Sequence, residues 1–86
     1  MYSLFEIWSL CRDIADGKIL TVNYHFFSGK IVDICQIIIK DENDVVILDR
    51  VFNPDDAYDK ETVHNQLFGI LYEQDEMLSS REAYND

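Results

Sequence analysis

The side chains that could support nucleophilic catalysis or metal binding are two histidines and two cysteines: His25, His64, Cys11 and Cys35. Catalysis needs a nucleophile beside a base and an orienting group. His25 and Cys35 could form a thiol–imidazole pair if neighbouring strands bring them together, but a surface histidine and a core cysteine are favoured. Zinc sites use closely spaced ligand pairs such as C-x-x-C, which the sequence lacks. We therefore predict two buried free thiols, no catalytic residues and no metal ligands.

Carboxylates are abundant, but their spacing matches no known type of site. Residues 55–61 (DDAYDKE) resemble half of a calcium loop without its glycine at position six and glutamate at position twelve. A solvated loop is favoured there. The glycines at positions 17, 29 and 69 form no phosphate-binding loop. Spacing does not exclude a carboxylate pair for glycoside chemistry, but no cleft is predicted. We expect a protein that is not an enzyme and binds no cofactor.

The charge is strongly asymmetric along the chain. Seventeen acidic residues against seven basic ones give a net charge of −10. Charges cancel over residues 1–40, so the net charge belongs to residues 41–86. Long-range attraction should favour a basic protein partner, whereas nucleic acid and anionic membranes should be repelled.

The acidic residues of the second half fall into three clusters, which are the candidate partner-binding residues. They either solvate the surface or present carboxylates to the arginines and lysines of a partner, and the sequence favours neither interpretation over the other. Tyr58, Tyr72 and Phe68 could add aromatic anchors, although Phe68 is better explained by core packing. The candidate residues are Asp41, Glu42, Asp44, Asp55, Asp56, Asp59, Glu61, Glu73, Asp75 and Glu76.

Two amphipathic helices are predicted at the ends of the chain. The first covers about 3–16, because Ser3 and Glu6 fit a capping box and apolar residues follow at helical spacing. Its inward positions are Leu4, Ile7, Trp8, Cys11, Ile14 and Ala15. Gly17 should end it in the left-handed conformation. The second covers about 59–79, capped by Asp59 or Asp56, with inward positions Val63, Leu67, Ile70, Leu71, Gln74 and Leu78. Residues 79–86 should be frayed.

Three strands are predicted between the helices, at about 19–27, 31–40 and 45–52, because β-branched and alternating apolar residues are separated by short polar turns. Short connections favour antiparallel pairing. The fold class is therefore α+β, a single two-layer αβββα domain over residues 1–86. The second strand is apolar on both sides, with Ile31, Cys35, Ile37 and Ile39 on one and Val32, Ile34 and Ile38 on the other. A central strand is expected, with something covering each side.

This order of elements, together with the acidic tracts DEND (41–44), DDAYDKE (55–61) and EQDE (73–76), resembles small acidic phage anti-CRISPR proteins. The likeness is to the type II-A Cas9 inhibitors that mimic DNA. It implies binding to a Cas nuclease where the protein reads the PAM-bearing duplex, with carboxylates in place of phosphates. No residue-level motif is shared, so no functional residue is transferred.

Two alternatives require a different partner. An immunity protein or antitoxin that neutralises a basic nuclease toxin would need the same charge. A structural or assembly protein would instead bury one side of the sheet, for example in a homodimer. No basic segment precedes an apolar run near residue 1, so we expect no signal peptide, and the apolar runs are too short to span a bilayer. We expect a cytoplasmic protein, in the bacterial host if it is phage-encoded.

Overall fold

The protein is described here by a computed structural model that covers the backbone of residues 2–85 and the side chains of residues 2–81. The chain forms an αβββα domain, which confirms the predicted α+β class. The elements are α1 (Leu4–Asp16), β1 (Thr21–Ser28), β2 (Asp33–Lys40), β3 (Val46–Phe52) and α2 (Ala57–Asn85).

The three strands form one antiparallel sheet in the order β1-β2-β3. Tyr24 lies opposite Ile37, and Ile37 lies opposite Arg50. The register shifts at a bulge between Ile39 and Lys40, beside the β2–β3 hairpin. The prediction that the second strand is central is confirmed.

Both helices lie on the same side of this sheet, with α1 over β1 and α2 over β3. Each helix runs antiparallel to the strand it covers, so the two helices run parallel to each other. Contacts at both ends of α1 agree with this arrangement. Tyr2, before α1, stacks on His64 of α2 with ring centroids 3.7 Å apart. Gly17, after α1, packs against Gln74.

The hydrophobic core lies between the sheet and the two helices. Cys35, Ile37 and Ile39 of β2 point into it and are fully buried. The opposite side of the sheet, which we call the open face, is covered by neither helix, and Ile34 and Ile38 lie on it. The fully or almost fully buried apolar residues are Ile7, Cys11, Ile14, Cys35, Ile37, Ile39, Phe52, Val63 and Leu67.

Several predicted inward positions are wrong. Trp8 is 41% exposed and Ala15 is also exposed, because a rotation of about 100° per residue places them at the margin of the buried face of α1. Arg12 lies over the Trp8 ring at 5.1 Å from its centroid. Ile31 is 98% exposed because it lies in the turn before β2, not within the strand.

The predicted ends of α1 are correct in position, but the mechanism at its C-terminus is different. Ser3 Oγ accepts a hydrogen bond from the Glu6 N–H at 3.2 Å, which confirms the N-cap. Gly17 has φ −69° and ψ −18°, so the expectation of a left-handed glycine is wrong. Lys18 adopts the positive φ of 60° instead.

Helix α2 is longer than predicted at both ends. It begins at Ala57, because the side chain of Asp56 accepts a hydrogen bond from the Asp59 N–H at 3.0 Å and so caps the first turn. It continues to Asn85, through residues for which fraying was predicted; residue 86 lies outside the described residues. The extra length carries the end of α2 past the β2–β3 hairpin, where Arg81 contacts Glu42.

Candidate acidic binding surface

The acidic residues of the first predicted cluster, in the β2–β3 hairpin, form hydrogen bonds and an ion pair within the domain. Asp41 Oδ1 accepts hydrogen bonds from the N–H groups of Asn43 at 2.8 Å and Val45 at 3.0 Å, which shapes the turn. Asp44 has a positive φ of 66° and its carboxylate lies 3.6 Å from Lys40 Nζ. Two acids of this cluster therefore help to form the turn itself.

Arg81 connects the hairpin to α2. Its Nη2 donates a hydrogen bond to Glu42 Oε1 at 2.7 Å, across 39 residues of sequence. Both side chains are about half exposed, so the pair contributes no more than about 0.2–1 kcal/mol. Its main consequence is positional, because it holds the first cluster beside the last turns of α2.

The second predicted cluster lies in the turn before α2 and in its first turns. Asp56 is the N-cap, and Asp59 Oδ2 accepts a hydrogen bond from the Asn53 N–H at 3.2 Å. These two carboxylates satisfy backbone donors that the helix start and the preceding turn would otherwise leave unpaired. The carboxylates of Asp55 and Glu61 are exposed and form no hydrogen bond or ion pair with the described residues, although the Asp55 N–H donates a hydrogen bond to Asn53 Oδ1 at 2.8 Å. Only these two are free for a partner.

The third predicted cluster divides between two sides of α2. Glu73 lines a cavity with Met77 on the side that faces the hairpin. Asp75 and Glu76 border a shallow hollow with Tyr72 on the other side. All three carboxylates are exposed and form no ion pair with the described side chains.

The fold therefore brings the ten predicted residues together as two surfaces. The hairpin-end surface comprises the first and third clusters at one end of the domain, with Asp75 and Glu76 on the side of α2 away from the hairpin: Asp41, Glu42, Asp44, Glu73, Asp75 and Glu76. The turn-end surface is the second cluster: Asp55, Asp56, Asp59 and Glu61. Fourteen residues of α2 separate Asp59 from Glu73, which corresponds to about 21 Å.

Aromatic side chains lie along α2 between these two surfaces. Phe68 is 57% exposed, so its predicted place in the core is wrong, and Tyr58 and Tyr72 are exposed as well. The His64 ring stacks on Tyr2, with centroids 3.7 Å apart, and lies nearly parallel to Phe68, with centroids 6.5 Å apart. Tyr2 and His64 were not predicted to lie at the site. The spacing of positions 64, 68 and 72 could have revealed one aromatic stripe on the helix.

The thiol–imidazole pair considered from the sequence does not form. Antiparallel register places His25 opposite Gln36 and Phe26 opposite Cys35, so His25 lies on the open face while Cys35 points into the core. The Cys35 sulfur lies 3.4 Å from the Tyr24 hydroxyl. Burial raises the pKa of Cys11 to about 11 and also raises the pKa of Cys35. Both cysteines are free and buried, as predicted, and both are protonated thiols at neutral pH.

No group of three metal-ligating side chains comes together among residues 2–81. No helix in the described part of the chain is both long enough and apolar enough to cross a membrane. No protein family, curated protein or solved structure matches the chain. The arguments for function therefore rest on the charges and surfaces described above.

Proposed function

We propose that this protein is a non-enzymatic inhibitor that binds a basic nucleic-acid-binding protein through its acidic residues. The observation that carries the proposal is at the hairpin-end surface, where acidic residues distant in sequence meet: Asp41 and Glu73 line one cavity. Arg and Lys side chains that normally contact phosphates would contact these carboxylates. The resemblance to acidic anti-CRISPR proteins makes the PAM-binding site of a Cas nuclease the preferred target.

The hairpin-end surface is better suited to this contact than the turn-end surface. Glu73, Asp75 and Glu76 form no intramolecular ion pair with described side chains, so a partner does not have to break one. Both surfaces also contain acids engaged within the domain: Asp41, Glu42 and Asp44 at the hairpin end, and Asp56 and Asp59 at the turn end. The turn-end surface therefore offers two free carboxylates, those of Asp55 and Glu61, against three at the hairpin-end surface. Tyr72, which is 59% exposed beside Asp75 and Glu76, adds an aromatic anchor of the kind that dominates interface energies.

Two variants of equal charge test this assignment. Asp75→Asn with Glu76→Gln alters the hairpin-end surface, and Asp55→Asn with Glu61→Gln alters the turn-end surface. Each removes one aspartate and one glutamate from exposed positions, so long-range attraction falls equally in both. We expect the first to lose more affinity for a type II-A Cas9–guide complex, by on the order of 2–5 kcal/mol if the carboxylates face arginines. Equal losses would contradict the assignment to one surface.

Competition with DNA tests the mechanism. If the carboxylates replace phosphates, a short PAM-bearing duplex and this protein should exclude each other from the Cas9–guide complex. Fluorescence anisotropy of the labelled duplex measures this directly. Simultaneous binding with unchanged affinities would refute mimicry.

If the Cas9–guide complex is not bound at all, a pull-down from the native host distinguishes an immunity or antitoxin role, because a basic nuclease toxin would be recovered instead.

The open face favours a second candidate, self-association as an assembly protein. Phe27 and Ile34 form a cross-strand pair there and are 55% and 38% exposed, and Val51 is 56% exposed. The ionisable residues on this face are His25, Lys40 and Asp49, whose charges nearly cancel. Two copies of the chain, each with a net charge of −10, could therefore meet there without repulsion between close charges. Light scattering should then give about twice 10.1 kDa, and Ile34→Lys should restore the monomer. A monomeric mass at high concentration would exclude this role.

A further inference from the structure

The two edges of the sheet differ in how well they are protected against pairing with another strand. β1 and β3 are the edge strands, because each pairs only with β2 in the described part of the chain. β3 carries the charged residues Asp49 and Arg50, and its pairing with β2 contains a bulge. Charges and bulges are common means by which proteins keep foreign strands from an edge. β1 is eight residues long and has no bulge, proline, acidic residue, lysine or arginine.

Every second residue of β1 presents its backbone N–H and C=O at this edge. The Gly29 N–H donates a hydrogen bond to the Val32 carbonyl at 3.2 Å, so these two residues form the hydrogen-bonded pair beside the turn. Hydrogen-bonded and non-hydrogen-bonded pairs alternate along an antiparallel ladder. The register therefore directs four backbone units away from β2, those of Val22, Tyr24, Phe26 and Ser28. No other backbone group among residues 2–85 forms a hydrogen bond with these four units.

Aromatic side chains lie on the helix side of this edge. Phe26 pairs with Cys35, so its side chain points to the helix side, yet it is 50% exposed. α1 lies over β1, and Gly17 at the end of α1 contacts α2. Trp8 precedes Gly17 by two and a half turns at about 100° per residue, so it points away from α2, toward the outer margin of β1. Trp8 is 41% exposed, and its ring centroid lies 6.1 Å from that of Phe5.

The space beside β1 accommodates a single strand but not a second copy of the domain. Neighbouring strands lie about 4.8 Å apart, whereas packed helices lie about 8–10 Å apart. In a dimer joined at β1, the two α1 helices would collide, because each lies over its own β1. An extended segment with no helix above it avoids this collision.

We propose that the β1 edge binds an extended, uncharged peptide segment of a partner protein as a fourth, antiparallel strand. The backbone of the segment would form hydrogen bonds with the four outward units of β1, and apolar side chains at alternate positions would contact Phe26 and Trp8. An uncharged segment fits because β1 has no carboxylate, lysine or arginine to pair with a charge. The contact uses none of the acidic residues, so it is independent of the proposed inhibitor function.

Backbone amide NMR of the whole chain tests the proposal with a synthetic peptide. The probe is a capped peptide of about seven residues that alternates valine and threonine, which favour strands. It should cause saturable shifts and slower hydrogen exchange at the amides that point outward, those of Val22, Tyr24, Phe26 and Ser28. The amides of Asn23, His25 and Phe27 should change little, because they already pair with β2. We expect a dissociation constant on the order of 0.1–1 mM, since the net gain per hydrogen bond is small and association is costly.

Two N-methylated forms of the peptide provide the matched comparison. In antiparallel pairing, residues that face α1 also direct their N–H toward β1, and the apolar valines should occupy these positions. N-methylation of the valines removes these donors and should weaken binding about tenfold or more, whereas N-methylation of the threonines should leave it nearly unchanged. Both peptides keep every side chain, so the difference reports the backbone contact alone.

A pair of protein variants tests the contact with α1. Trp8→Ala should weaken peptide binding about threefold or more, because an aromatic contact is lost. Phe68→Ala removes an exposed aromatic from α2 and should not weaken it. The amide spectrum of each free variant shows whether it is folded, and if Trp8→Ala unfolds, the methylated peptides decide. Four results would overturn the proposal: no saturable shift, no alternation between outward and inward amides, equal binding of the two methylated peptides, or equal effects of the two folded variants.

Discussion

Gly17 lies so close to Gln74 that a side chain at position 17 would collide with it. A Cβ on Gly17 would lie 2.3 Å from Nε2 and 2.6 Å from Cδ of Gln74, far below ordinary contact distances. The backbone of Gly17 is right-handed helical, a conformation open to any residue. Glycine is therefore favoured by the close approach of the end of α1 to the end of the Gln74 side chain, and not by the backbone angles of the helix terminus.

Gly17→Ala should lower the free energy of unfolding by less than the roughly 1–3 kcal/mol that overpacking usually costs, because only the end of the Gln74 side chain has to shift. Urea denaturation of the single variant measures this loss. The same substitution in a Gln74→Ala background should be neutral or slightly stabilising, because the collision is gone and alanine reduces the freedom of the unfolded chain. Equal losses in both backgrounds would show that the cost arises from the backbone and not from Gln74.

Gly69→Ala should have the opposite sign. Gly69 is exposed within α2, and no atom lies within 4 Å of the Cβ that alanine would add. Alanine should therefore raise the free energy of unfolding by about 0.5–1 kcal/mol. Gly29→Ala is the control, because its Cβ would lie 2.5 Å from the backbone oxygen of Val32 and should be destabilising. Thermal unfolding of the three proteins gives the order Gly69→Ala, wild type, Gly29→Ala.

Stability should fall at alkaline pH because of Cys11. Burial raises the pKa of its thiol from 9.0 to about 11 in the folded protein. Above pH 9 the unfolded chain loses this proton while the folded chain keeps it, so unfolding becomes more favourable. The contribution is fully present below pH 9 and is lost by about pH 11. Unfolding free energies measured across this range should decline less steeply in Cys11→Ala; an identical slope would remove Cys11 as the cause.

Association with a basic partner should depend strongly on salt. The Debye length shortens from about 10 Å at 0.1 M to about 3 Å at 1 M, so the attraction of a protein with a net charge of −10 is screened. Between about 50 and 500 mM salt the association rate should fall on the order of tenfold or more, with smaller changes in the dissociation rate. Stopped-flow mixing measures both. A flat association rate would exclude electrostatic steering.

Local sequence patterns were sufficient to predict the elements and their order. The Ser3 cap, the polar turn after β2 and the alternation in β1 depend on neighbouring residues, so each could be recognised from the chain alone. The end of α1 was also predicted correctly, although for the wrong reason. The close contact of Gly17 with Gln74 joins positions 57 residues apart, and no local pattern reports such a contact.

The sequence by itself determined the αβββα order, the free cysteines and the location of the net charge in residues 41–86, because periodicity and composition are local properties. Only the tertiary structure decided which carboxylates meet. It brought Asp41 and Glu73 to one cavity, joined Arg81 to Glu42, and left Asp59 about 21 Å from Glu73 along α2. It also used Asp56 and Asp59 for backbone hydrogen bonds and placed Gln74 beside a cavity. These outcomes depend on how helices and strands pack, and packing joins residues whose distance in sequence carries no signal.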